Sequence, residues 1–274
     1  MYNSLKIYTE EQLEKIRTVN CFWDHAPKTE WLESFFDLED LFFTQHSLGG
    51  HSFIYFKRFL RDAELIDDNR ITRFAELVEK INWSSITALG LIMTNLVYNN
   101  FQFEWYVRNL AVGRNYSINE MRELLYEANL AERAVNSVIF AFKRIATTPL
   151  GTTLNFAQLE GRDIIIRNYC KLDDDRVLLY AIYKFFEKLN TYEKFNTEFN
   201  LSFLIDKTIK RKIPSPLEIF GPLNIDSKYG IRSRLQGLSA VYPNFINVTF
   251  TNNLQTIILR DKNSRDVLKL FQKD

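Results

Sequence analysis

The chain is poor in the residues that build small-site chemistry. It has two cysteines, three histidines, six prolines and nine glycines in 274 residues. Cys21 and Cys170 are too few for a disulfide framework, and without CxxC spacing they form no zinc or iron–sulfur ligand pattern. They read as buried thiols in a reducing compartment. So little glycine and proline leaves little room for disordered linkers, glycine-rich loops or a turn-dense all-β fold. Long apolar runs are also missing. The longest, Ile86 to Tyr98, is interrupted by Thr87, Thr94 and Asn95 and is too short to span a bilayer. The polar, helix-like stretch from Met1 to Thr18 does not resemble a secretory leader, so a cytoplasmic protein with no membrane partner is expected.

What is present is an ordinary globular composition, 46% hydrophobic and 25% charged, with an excess of aromatics at 15%. That length and composition suit one large domain or two to three small ones. The net charge of +1 conceals a gradient. Residues 1–82 carry 10 basic and 15 acidic side chains, residues 83–200 carry 13 of each, and residues 201–274 carry 12 basic and 6 acidic. A basic last third on a neutral chain points to a phosphate-bearing partner at that end, or to a solvated surface.

Apolar periodicity predicts helices through most of the chain. They are expected near residues 9–19, 28–43, 53–63, 71–81, 84–98 and 101–110, with 84–98 apolar all round and therefore buried. Ser117-Ile118-Asn119-Glu120 reads as a capped start for a helix to Ala128, followed after a tight turn by a helix from Glu132 to Thr147 that Pro149 and Gly151 end. Leu154–Phe156 and Ile164–Ile166 read as short strands around Glu160-Gly161-Arg162. Helix, turn, helix and hairpin in that order make a winged helix. The same order recurs through Val177–Leu189, Ser215–Phe220, Asp226–Val241 and the alternating strand Ile246, Val248, Phe250. Asn252-Asn253 is then expected at the tip of the second wing, with a return over Gln255–Arg260 and a closing helix from Ser264 to Phe271. The expected fold is mainly α with small β-hairpins, comprising an N-terminal helical region (1–82), a first winged-helix-type unit (83–170) and a second, basic one (171–274).

Several stretches carry a family resemblance. They are Leu89-Gly90-Leu91-Ile92, Asn95 to Asn100, Trp105-Tyr106-Val107, Thr148-Pro149-Leu150-Gly151, Leu179 to Lys184, Ser215 to Gly221 and Phe245 to Phe250. Together, over roughly Trp83 to Phe271, they resemble an accessory region of long bacterial members of the phosphoadenosine-phosphosulfate (PAPS) reductase family. The same region is similar to stand-alone proteins encoded beside such enzymes, sometimes in DNA phosphorothioation and defence loci. The resemblance does not import catalysis. The family's SGGxDS-type phosphate loop is missing, because Leu48-Gly49-Gly50-His51-Ser52 lacks the leading Ser and the Asp, and so are its iron–sulfur cysteine clusters. The resemblance implies a non-catalytic accessory or targeting protein that needs no cofactor.

Candidate metal ligands read as structural. His46 and His51 flank Gly-Gly at a spacing that fits neither a helix face nor a zinc pattern. Asp173-Asp174-Asp175 directly precedes a helix, where acids cap N–H groups and complement the dipole. Neither Cys21 nor Cys170 has a base or electropositive neighbour in sequence. The excess aromatics fit helix faces, hence core rather than a stacking platform.

The nucleic-acid candidates lie on the second helix of each winged unit and on the wings. In the first unit they are Arg133, Asn136, Ser137, Lys143, Arg144 and Arg162. In the second they are Ser227, Lys228, Arg232, Arg234 and Gln236, with Lys207, Lys210, Arg211 and Lys212 just upstream. These side-chain types reach phosphates and base edges. Winged helices also serve as protein-docking modules, so two readings stand: contact with nucleic acid, DNA in particular, in a DNA-modification or defence system, or docking of a partner enzyme such as a PAPS-reductase-like protein.

Overall fold

The computed structural model describes residues 27–127, 130, 132–190, 197–206, 209, 211, 213–221, 230–251 and 254–272. It is mostly helical with small antiparallel sheets. The chain divides into two compact units, the first ending at Lys171 and the second starting at Leu172. Residues on both sides of position 82 belong to the first unit. The helix expected near residues 9–19 lies outside the described residues.

The first unit opens with α1 (Thr29–Leu38), a 3-10 turn (Glu39–Leu41), α2 (Phe42–Gln45) and α3 (Gly50–Asp62). One continuous helix was expected over 28–43; the chain breaks at Glu39, whose φ is 48°. The break lets rings from three helices meet edge to face. Phe35 lies 5.7 Å from Phe42 and 6.5 Å from Phe56, and Phe42 lies 5.6 Å from Phe56. Such arrangements match the positive ring edge to the negative ring face. A small hairpin follows, β1 (Ile66–Asp67) and β2 (Arg70–Ile71), with left-handed Asp68 in its turn. Sequence periodicity missed it because each strand is two residues long. Then come α4 (Arg73–Lys80), capped by the Thr72 hydroxyl, and α5 (Ile86–Asn99), capped by Ser85.

α5 is buried from Ala88 to Tyr98, as its all-round apolar sequence predicts. Its C-terminal asparagines fasten the end of α3. Asn95 Nδ2 donates to the Ala63 carbonyl (3.0 Å), Asn99 Nδ2 to the Asp62 carbonyl (3.1 Å) and Asn100 Nδ2 to the Asp62 carboxylate (2.6 Å). Burial of Asp62 raises its pKa, and the Asn100 bond opposes the rise. Asn100 Oδ1 also caps α6 (Phe101–Asn109). Tyr106 on α6 donates its hydroxyl to the Val138 carbonyl (2.6 Å), and its ring lies edge-on to Phe142 at 4.9 Å.

The rest of this unit is β3 (Asn115–Ser117), α7 (Ile118–Glu127), α8 (Glu132–Ile145), α9 (Pro149–Thr152), β4 (Ala157–Glu160) and β5 (Ile164–Arg167). The expected capping box is present: the Ser117 N–H donates to the Glu120 carboxylate (2.8 Å) and the Glu120 N–H to Ser117 Oγ (3.1 Å). These bonds, with Arg114, hold the Glu120 carboxyl below its ordinary range. The first strand of the hairpin sits three residues later than expected. Leu154 and Phe156 are buried, but their N–H groups donate to the carbonyls of Pro149 and Leu150 instead of a ladder. Pro149, expected only to end α8, instead starts α9 at the position where its missing N–H is harmless. Gly151 makes that turn possible: a Cβ there would lie 2.5 Å from Ala146 Cα and 2.6 Å from the Ile145 carbonyl oxygen.

The second unit runs α10 (Asp175–Asn190), β6 (Glu198–Asn200), α11 (Ser202–Ile205), α12 (Pro216–Phe220), α13 (Ile231–Val241), β7 (Ile246–Phe250), β8 (Gln255–Leu259), α14 (Ser264–Leu268) and a 3-10 turn (Lys269–Gln272). α10 is its core, buried through Val177–Tyr183, Phe185, Phe186 and Leu189. The Tyr183 hydroxyl donates to the Phe245 carbonyl (2.6 Å), with that of Arg260 at 3.1 Å, and Glu187 receives the N–H (2.6 Å) and hydroxyl (2.8 Å) of Ser264.

Both units build a three-stranded antiparallel sheet of the same order: β3-β5-β4 in the first and β6-β8-β7 in the second. In each, the strand that precedes the helices pairs with the last strand. Neither β3 nor β6 was expected, since three residues are too few to set an alternation. Asn252-Asn253 lies outside the described residues, between β7 and β8. No helix among the described residues is long and apolar enough to cross a membrane.

Candidate nucleic-acid interface

α8 has two faces. Val135, Ile139, Ala141, Phe142 and Ile145 are buried. At 3.6 residues per turn, Arg133, Asn136, Phe140, Lys143 and Arg144 fall within roughly 100° of the opposite circumference. Arg133 and Phe140 are exposed, and Asn136, Lys143 and Arg144 are half-buried. The structure therefore gathers these sequence candidates on one outward stripe. Ser137 leaves the group: it is buried, and its hydroxyl donates to the Arg133 carbonyl (2.9 Å). Phe140 joins it. At 51% exposure it sits among the cations, an aromatic that sequence reading assigned to no site. The signal was available, because Phe140 is four residues from both Asn136 and Arg144 and so falls outside the apolar stripe. Arg162 stands at the turn between β4 and β5, exposed, beside Gly161 whose φ of 64° closes the turn.

The second unit treats its candidates differently. Arg211 is 8% exposed, and its guanidinium donates to the carbonyls of Phe203 (3.0 Å) and Asp206 (2.8 Å) and pairs with Glu218 (3.0 Å). Glu218 also closes the capping box that starts α12 at Ser215. Arg234 pairs with Asp175 at the first turn of α10. Both guanidiniums are therefore engaged within the unit, Arg211 the more deeply, which sets them apart from the outward side chains of α8. Lys269 pairs with Asp266 (2.7 Å), while Lys207, Lys210, Lys212, Ser227 and Lys228 lie outside the described residues. The outer face of α13 presents Ser233, Gln236, Gly237, Ala240 and Val241, with Arg232 half-buried at its flank. That face carries no charge.

The remaining candidates are structural. His46 Nδ1 accepts the Leu48 N–H (3.2 Å), and its ring stacks on Phe53 at 4.0 Å. Asp174 accepts the Arg176 N–H (2.8 Å) and pairs with its guanidinium (2.8 Å), as expected of acids at a helix start. Among the described residues no three His, Cys, Asp or Glu side chains gather to hold a metal ion. Cys170 is buried, which pushes its thiol up to about 12 and leaves it protonated and unreactive at neutral pH. Cys21 lies outside the described residues.

No family model matches the chain, and comparison with the curated proteins gives no match either. The fold is similar to that of two solved structures, a crystal structure of SspB and a magnesium ion-bound crystal structure of SspB. Their TM-scores are 0.63 and 0.64, at 10% and 11% sequence identity, and each match covers 92% of this chain and 87% of the SspB chain.

Proposed function

We propose that each unit contains a winged-helix module and that the first binds duplex DNA through the outer face of α8 and the β4–β5 turn. The carrying observation is the stripe of Arg133, Asn136, Phe140, Lys143 and Arg144 on α8, opposite its buried face. The order strand, helix, helix, hairpin supports it, because that arrangement presents its second helix to the major groove and its hairpin to the backbone. Lys143, Arg144, Arg133 and Arg162 have the chemistry of phosphate contacts, and Asn136 that of adenine recognition. The likeness of residues 83–271 to the accessory region of PAPS-reductase-type proteins suits a non-catalytic targeting role in DNA modification or defence. The neutral face of α13 favours a second role for the other module: docking a partner protein.

Fluorescence-anisotropy titrations of a labelled duplex test the first reading. Four phosphate contacts predict a slope of log affinity against log salt near −3.6, so affinity falls on the order of 100-fold between 50 and 200 mM salt. The triple variant R133Q/K143Q/R144Q should lose about 2.7 of that slope. Wild-type protein that binds no duplex at low salt would overturn the reading, as would a triple variant that binds like wild type.

A further inference from the structure

The first unit has a second cationic helix face, far in sequence from α8. On α3, Ile54, Lys57, Arg58 and Arg61 stand at i, i+3, i+4 and i+7, within about 100° of helix circumference, and His51 borders them. Phe56, Phe59 and Leu60 are buried on the opposite side. Residues 27–82 hold 7 basic and 11 acidic side chains, yet three of those seven cations fall within five residues of α3. Arg58 lies 3.7 Å from Asp62, and Arg61 also lies within the field of that carboxylate, so one acid borders the face and Lys57 and the exposed Arg61 carry its outward charge.

We infer that this face is a second phosphate-contacting surface for the same duplex DNA. The inference rests on the nucleic-acid reading of α8 and extends it. Charge complementarity selects the partner. Residues 57–61 rise about 6 Å along the helix axis, over which a duplex presents roughly three to four phosphate charges. The apolar side of α3 is already buried against its own unit, so the helix cannot lie in a lipid surface as an amphipathic anchor does. Ile54, 62% exposed, is the one large apolar side chain among these cations and offers too little area for an apolar protein interface.

The full chain is titrated with a 30-base-pair duplex at several salt concentrations, comparing wild type, K57Q/R61Q and R133Q/K143Q/R144Q. The K57Q/R61Q protein should keep its fold, because neither side chain is buried. The two added contacts would steepen the wild-type slope from near −3.6 to near −5.4, and K57Q/R61Q should return it by about 1.8, so that it loses about tenfold less of its affinity than wild type between 50 and 200 mM salt. The charge-conserving K57R/R61K protein should retain the wild-type slope. An unchanged slope in K57Q/R61Q, with loss in the α8 variant, overturns this inference and leaves the α8 reading standing. Loss in K57Q/R61Q with an unaffected α8 variant supports the α3 surface and overturns α8. Competition by poly-L-glutamate as effective as that by duplex, and abolished in K57Q/R61Q, assigns the face to an acidic protein and overturns the DNA assignment.

Discussion

The two units arrange strand, helices and hairpin in the same order and pair the strands in the same sequence, but they place some of their arginines differently. On α8 the basic side chains lie outward, on a helix whose apolar stripe is complete without them. In the second unit Arg211 and Arg234 turn inward to carboxylates and carbonyls, and the outer face of α13 is neutral. Formal charge by region is therefore a coarse guide: residues 201–274 carry the larger positive balance, yet among the described residues the basic stripe on the second helix of a unit lies on α8 of the first. A cation held inward by a carboxylate adds less to an external field than one placed on an outward face.

The comparison is broken most severely at Gly151, which has no counterpart in the second unit, where α13 leads directly into β7. A side chain there meets backbone, at 2.5 Å from Ala146 Cα, and backbone cannot move aside as a flexible side chain can. Gly151→Val should destabilise the first unit by about 3 kcal/mol or more. All four tryptophans, Trp23, Trp31, Trp83 and Trp105, precede Lys171. Urea denaturation followed by tryptophan fluorescence therefore reports the first unit, and far-ultraviolet circular dichroism reports both. An unchanged fluorescence midpoint would show that α9 does not pack as described.

The same measurements separate the two kinds of arginine. Arg211→Met should destabilise the second unit by about 3 kcal/mol, because it removes the buried donor of the Phe203 and Asp206 carbonyls together with the cation that balances Glu218. The loss should be seen by circular dichroism, with fluorescence and duplex affinity unchanged. Weaker DNA binding at unaltered stability would return Arg211 to the interface.

Much of this was legible in the sequence, and the failures have physical causes. The long amphipathic helices α8 and α10 were found within a few residues because two or more turns of period 3.6 leave a clear stripe, and the buried α5 because its apolar run is continuous. The helix starts at Ser117 and Ser215 were legible for local reasons, since a capping box is complete within four residues at the first and Pro216 takes the first helical position at the second. β3, β6 and the β1–β2 hairpin were missed because two or three residues cannot display a period. The site was half legible. Spacing on α8 put Arg133, Asn136, Lys143 and Arg144 together, but no local pattern showed that Arg234 would meet Asp175, 59 residues earlier. Nor does sequence reveal that Asn95, Asn99 and Asn100 bind the end of α3, so that stretch looked like a family signature without a role.

The smallest expected effect contrasts one buried titrating group in each unit. Burial pushes the Cys170 thiol in the first unit from its ordinary 9.0 up to about 12, and pushes the Tyr183 phenol in the second from 10.0 up to about 12. In both cases the folded pKa lies above the unfolded one, so the protonated, neutral form is the one the fold favours. The stabilisation is complete below the unfolded value and is lost as pH rises toward the folded value. The first unit should therefore weaken through Cys170 between pH 9 and 12, and the second through Tyr183 between pH 10 and 12. Tyr183→Phe removes the hydrogen bond to the Phe245 carbonyl, a loss of about 1 kcal/mol at neutral pH, and with it the phenol's share of the alkaline decline. Denaturation midpoints followed by circular dichroism should thus converge, and then cross, for wild type and Tyr183→Phe as pH rises from 10 to 12. The tryptophan-reported midpoint of the first unit should keep its own decline, and Cys170→Ala should flatten that one instead. Parallel curves for wild type and Tyr183→Phe across that window would mean that the phenol ionises as readily in the folded protein as in the unfolded chain, and that the Tyr183 site is open to water.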